Sequence, residues 1–114
     1  MTDHETSISE LKSDLFHALA NPGRIRILET LLLGERSVGD LQPDVGLELS
    51  HLSQQLGLLR RAGLVTPRKQ GTMVIYSIRN PLLGELLDTA KRFLVTSLTE
   101  TTRLLDDLSE QAPG

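Results

Sequence analysis

The sequence predicts a mainly α-helical fold with one small β-hairpin, read as a single domain over residues 1–114. Three observations predict it. Apolar residues recur at three- and four-residue steps through most of the chain, the period of helices with one buried face. Between Leu64 and Ile78 the period falls to two, around a Gln70-Gly71 turn. Turn and capping residues at Asn21-Pro22-Gly23, Gly34, Gly46, Gly63 and Asn80-Pro81 cut the helical pattern into separate elements.

The first helix is predicted from Ile8 to Ala20, with Ile8, Leu11, Leu15, Ala18 and Leu19 on one face. Asn21 is a good N-cap and Pro22 fits the first helical position, so a second helix starts there. Its predicted stripe is Ile25, Leu28, Leu31 and Leu32, and Gly34 ends it. Ser37 caps a short third helix from Val38 to about Pro43, followed by a turn at residues 44–46. A fourth helix runs from Glu48 or Leu49 to Ala62, with Leu49, Leu52, Leu56 and Leu59 inward; Gly63 stops it.

Leu64-Val65-Thr66 reads as a first strand and Met73–Ile78 as a second, with Val74, Tyr76 and Ile78 on one face. The last helix is predicted over residues 81–109. Leu83, Leu87, Ala90, Leu94, Ser97, Thr101, Leu104 and Leu108 alternate four- and three-residue steps, widened by Leu82, Leu86, Phe93 and Leu105. Roughly 28 residues make a helix about 42 Å long. That outruns so small a domain, so part of its apolar face is expected to pack on a second chain.

Charge is distributed unevenly. The net charge is -3, yet Leu49 to Gly84 contains neither Asp nor Glu, while carrying His51, Arg60, Arg61, Arg68, Lys69 and Arg79. All 15 acids lie outside this window. Such a stretch suits a surface that meets an anion, of which nucleic-acid phosphate is the commonest, since each neutralised phosphate releases condensed counterions.

Other classes are disfavoured. No apolar run reaches the ~18 residues of a membrane span. The acidic, polar N-terminus lacks the apolar segment of a signal peptide, so a cytoplasmic protein is expected. The absence of Cys excludes disulfides, thiolate metal sites and thiol nucleophiles. No Gly-rich phosphate loop or spaced His and carboxylate set is present, and the adjacent Ser50 and His51 cannot face each other on a helix. No enzyme is expected.

In order, the elements spell a winged helix-turn-helix. The helix-turn-helix spans residues 37–63 and the wing 64–78. A helix whose outer face offers Ser50, His51, Ser53, Gln54 and Gln55 suits the major groove, where Gln pairs with adenine in bidentate fashion. Arg60, Arg61, Arg68, Lys69 and Gln70 complete the predicted DNA-binding set, the hairpin cations lying on phosphate or in the minor groove. Any one of these residues alone is an ordinary solvated position, and the specificity lies in the ordered set. A rival reading keeps the winged helix but makes it grip a protein, as an interaction module or co-regulator subunit. Strong salt dependence of duplex binding separates the two.

The sequence resembles the ArsR/SmtB family of bacterial winged-helix repressors over about Leu15 to Ile78. The carrying residues are Leu19-Ala20-Asn21-Pro22 with Arg24-Ile25-Arg26-Ile27-Leu28, and Ser37-Val38-Gly39-Asp40-Leu41. They continue in Leu52-Ser53-Gln54-Gln55-Leu56, Leu59-Arg60-Arg61-Ala62-Gly63-Leu64-Val65, and Arg68-Lys69-Gln70-Gly71 through Ile75-Tyr76. The resemblance implies a homodimer built on the first and last helices, residues 8–20 and 81–109. It also implies binding to duplex operator DNA and release of repression by an inducer. The positions that match the usual metal-sensing sites are Ser37 and Gly39, then Asn80, Leu82, Phe93 and Thr96, a set that would not bind a transition metal. The remaining metal reading is a non-standard, weak Ni, Co or Zn site at His4, within Asp3-His4-Glu5, joined by carboxylates such as Asp88, Glu100 or Asp106. Against it, a terminal histidine is ordinarily a solvated one. His17 is expected to pack at the edge of the first helix and His51 to face DNA.

Overall fold

The computed structural model describes residues 6–111, which divide into two compact units, one ending at Pro81 and one beginning at Leu82. In the first unit, α1 (Ile8–Leu19) opens with a capping box. Ser7 Oγ accepts from the Glu10 N–H at 3.1 Å, and Glu10 Oε2 accepts from the Ser7 N–H at 3.2 Å. Only Ala18 and Leu19 of its stripe are buried, and Ile8, Leu11 and Phe16 stay exposed.

α2 (Pro22–Leu32) starts where predicted, with Asn21 Oδ1 accepting from the Arg24 N–H at 3.0 Å. Its inward stripe differs from the expected one. Arg24, Ile27, Leu28 and Leu31 are buried, while Ile25 and Leu32 are only half-buried. Those four positions have the spacing of one helix face. A charged residue occupies one of them, and that shifts the face the apolar residues alone suggest.

β1 (Arg36–Ser37) was not expected, because two residues carry no readable period. It pairs antiparallel with the second hairpin strand, Arg36 opposite Tyr76 and Ser37 opposite Ile75. α3 (Val38–Val45) is capped by Ser37 Oγ, which accepts from the Asp40 N–H at 3.1 Å. It passes through Pro43 instead of ending there, since proline costs one backbone donor late in a short helix. Gly46, at φ 72°, ends it in the left-handed region and donates to Gln42 O.

α4 (Leu49–Arg61) buries Leu52, Leu56 and Leu59 as expected, but Leu49 is 52 % exposed. Position 49 is the first helical residue, and the core begins one turn later. β2 (Val65–Gln70) is longer than the predicted Leu64–Thr66, because the whole arm pairs with β3 (Met73–Ile78), from Val65 opposite Ile78 to Gln70 opposite Met73. The loop is therefore Gly71-Thr72 and not Gln70-Gly71. Gly71 holds φ 66° at its first position, as hairpin turns of the primed kind require. The sheet order is β1-β3-β2. On the central strand the buried residue is Ile75, with Val74, Tyr76 and Ile78 half-buried on the opposite face. The core of this unit is aliphatic, its most enclosed side chains being Ile27, Leu28, Leu41, Leu52, Leu56, Leu59 and Val65.

The second unit is one helix, α5 (Leu82–Gln111), 30 residues and ~45 Å long. Phe93, Leu94, Val95, Leu98, Leu104, Leu105 and Leu108 are all exposed along it. Among the described residues, no helix is long and apolar enough to cross a membrane.

Candidate nucleic-acid interface

α4 is anchored by three leucines spaced four and three residues apart, and this turns its other face outward. Ser50, His51, Ser53 and Gln54 are exposed there, with Arg60 and Arg61 exposed in the last turn. Those two cations also lie at the negative end of the helix dipole, which stabilises them irrespective of any ligand. The hairpin then carries Arg68, Lys69 and Gln70 outward on β2. A groove of about 270 Å³ joins the two elements, lined by Arg60, Pro67, Arg68, Lys69, Val74 and Tyr76. The fold thus brings three cations from two parts of the chain around one depression beside the polar face of α4. Arg61 is not part of this groove.

Two predicted residues are less free than expected. Arg68 is paired through Nη2 with Glu35 Oε1, and its Nη1 donates to Gln70 Oε1 at 2.8 Å. Glu35 lies outside the acid-free window in sequence, yet the approach to β1 carries its carboxylate to the wing. Both partners are about half exposed, so solvent screens the pair and its worth to stability is about 0–1 kcal/mol. Gln55 is half-buried, and its Oε1 accepts from Arg24 Nη1 at 3.0 Å. Its Nε2 lies 3.1 Å from His51 Nε2. With its carbonyl engaged, Gln55 cannot offer the bidentate pairing to adenine expected of it. Gln54, exposed, keeps that capacity.

Arg24 was missed as a site residue. It is 9 % exposed, and its guanidinium donates Nε to Ala18 O at 2.7 Å, Nη2 to His17 O at 3.2 Å and Nη1 to Gln55. It thereby donates to two carbonyls at the C-terminal end of α1, of which His17 O also accepts from the Ala20 N–H at 3.1 Å, and ties them to α4. The available signal was the spacing of Arg24 with Ile27, Leu28 and Leu31. A buried guanidinium on a core face needs several acceptors, and helix-end carbonyls supply them.

His17 is exposed, and Ser37 Oγ is engaged in capping α3. Phe93 and Thr96 are exposed on α5. His4 lies outside the described residues. Among the described residues, no three His, Cys, Asp or Glu side chains gather as a metal site.

Residues 21–66 match the family described as bacterial regulatory protein, arsR family. The chain is 52 % identical over 100 residues to the uncharacterised HTH-type transcriptional regulator Rv0081 of Mycobacterium tuberculosis, covering 87 % of this chain and 88 % of that one. The crystal structure of Rv0081 superposes with a TM-score of 0.78, covering 86 % of this chain and 99 % of that chain at 49 % identity. The transcriptional repressor BigR from Xylella fastidiosa gives 0.70, at 30 % identity over 75 % of this chain and 87 % of that one. The homodimeric winged helix-turn-helix DNA-binding domain Mb0332 from Mycobacterium bovis gives 0.63, at 29 % identity over 91 % of each chain.

Proposed function

This chain belongs to the arsR family of bacterial regulatory proteins, a transcriptional regulator with a winged helix-turn-helix fold, and we propose that it represses its target as a homodimer on duplex operator DNA. In this reading α4 enters the major groove and reads bases with Ser50, Ser53 and Gln54. Arg60, Arg68 and Lys69 neutralise phosphates on either side, and Arg61 and Gln70 add polar contacts. The protein acts in the cytoplasm, catalyses no reaction, and leaves the operator when an inducer or a partner protein intervenes. The supporting observation is the groove that gathers Arg60, Arg68 and Lys69 beside the uncharged polar face of α4, in a chain of net charge -3.

The test is a salt titration of duplex binding by fluorescence anisotropy, first on operator fragments selected from genomic DNA and then on random duplex. Three cations from each of two protomers would neutralise about six phosphates, giving a slope of log K against log salt near -5. A slope near zero on both would mean that α4 and the wing do not face DNA.

A further inference from the structure

Gln55 follows His51 by one turn, so the two share a face of α4. The carboxamide of Gln55 is fixed from the inside. A guanidinium has no acceptor, so the Gln55 atom that meets Arg24 Nη1 at 3.0 Å has to be its oxygen. Arg24 cannot swing to allow another arrangement, since the carbonyls of Ala18 and His17 hold its other nitrogens. The amide nitrogen of Gln55 is therefore the atom 3.1 Å from His51 Nε2. An amide NH2 donates and does not accept, so Nε2 of His51 has to accept. A neutral imidazole that accepts at Nε2 carries its proton on Nδ1.

We propose that Arg24 and Gln55 form a polarity relay that fixes His51 as the Nδ1–H tautomer, so that α4 presents an N–H donor at this position to an acceptor on a base edge. Gln55 is then a positioning residue, and His51 a specificity-determining one. The matching edges are the N7 of a purine, O6 of guanine or O4 of thymine, whereas the N4 amine of cytosine is refused. The base-edge half of this inference rests on the DNA reading above. The tautomer half does not, because the relay is complete in the free protein.

The experiment is a long-range proton–nitrogen correlation on the ¹⁵N-labelled full chain at pH ~8, where imidazole is ordinarily neutral. Wild type is expected to show His51 protonated at Nδ1 and bare at Nε2. A solvated histidine shows the reverse preference, and Gln55→Ala should return His51 to it. Gln55→Glu is the sharper variant. It keeps an oxygen for Arg24 but sets a second acceptor against His51, so the proton should move to Nε2. Wild type dominated by Nε2–H, or a Gln55→Glu protein with an unchanged tautomer, would overturn the relay.

On a selected operator, His51→Ala should lose about ten-fold in affinity, with random duplex changed less than about two-fold. Equal losses on cognate and random duplex would make His51 a phosphate contact and overturn the base-edge half. If wild type binds no duplex at all, the DNA reading fails together with that half, while the spectrum still decides the relay.

Discussion

The apolar stripe of α4 disappears into the core of its own chain, whereas that of α5 is buried only at Leu83, in its first turn, and is largely exposed from Phe93 onward. Leu52, Leu56 and Leu59 are 0–1 % exposed, yet Leu94, Leu104 and Leu108 on the stripe of α5 are 58–63 % exposed. The two helices carry similar amphipathic patterns. What differs is length and neighbours. α4 has 13 residues and is covered by α2, α3 and β2, whose side chains fill the space at its inner face. α5 has 30, more than a domain of this size can cover. A periodic stripe thus states that a partner exists without stating which chain supplies it.

Removing side chains from the buried stripe should have the largest effect. Leu59→Ala is expected to cost about 2–5 kcal/mol in denaturant unfolding, through the lost apolar transfer and the cavity left behind. Leu104→Ala should leave the unfolding of the first unit nearly unchanged, and equal losses at the two sites would erase that contrast. Charging the exposed stripe comes next. Leu104→Glu combined with Leu108→Glu should raise the dimer dissociation constant about 100-fold or more, since docking would bury unpaired carboxylates. Light scattering should then report the 12.6 kDa chain in place of twice that mass. A wild-type monomer at micromolar concentration would remove the dimer.

Within the α4 face, Gln54→Ala should lose about 1–3 kcal/mol on the selected operator and little on random duplex. Loss on both would mean that α4 does not read bases. Lys69→Ala should flatten the salt slope by about one unit. Arg68→Ala should flatten it by less, because Glu35 already neutralises part of that charge, and Glu35→Gln should make the Arg68 and Lys69 effects alike. The smallest signal is expected from metal. Calorimetric titration with Ni or Zn should give micromolar binding or weaker, lost in His4→Ala, since one imidazole among carboxylates lacks the donors of a tight site. Nanomolar binding that survives His4→Ala would locate a sensor elsewhere in the chain.

Much of the fold was written in local pattern. Asn21 and Pro22, and Ser37, mark helix starts by chemistry that acts within three residues, and each cap forms as its sequence indicates. The switch of period at Leu64 places the hairpin, and the spacing of Leu52, Leu56 and Leu59 turns Ser50, Ser53 and Gln54 outward. These features depend on contacts between near neighbours in the chain, so a linear reading finds them.

Only the tertiary structure decided which of the outward polar residues are free. Glu35 reaches Arg68 across a separation of 33 residues, and Arg24 reaches Gln55 across 31. Both bonds cancel an expectation drawn from local charge or side-chain type: an acid-free wing in one case, a free reading glutamine in the other. β1 exists only because β3 lies beside it, and Ile75 is the buried residue of its strand only because of what packs on that face. The physical reason is common to all four. Hydrogen bonds, ion pairs and burial are set by distance in space, and the sequence by itself orders residues only along the chain.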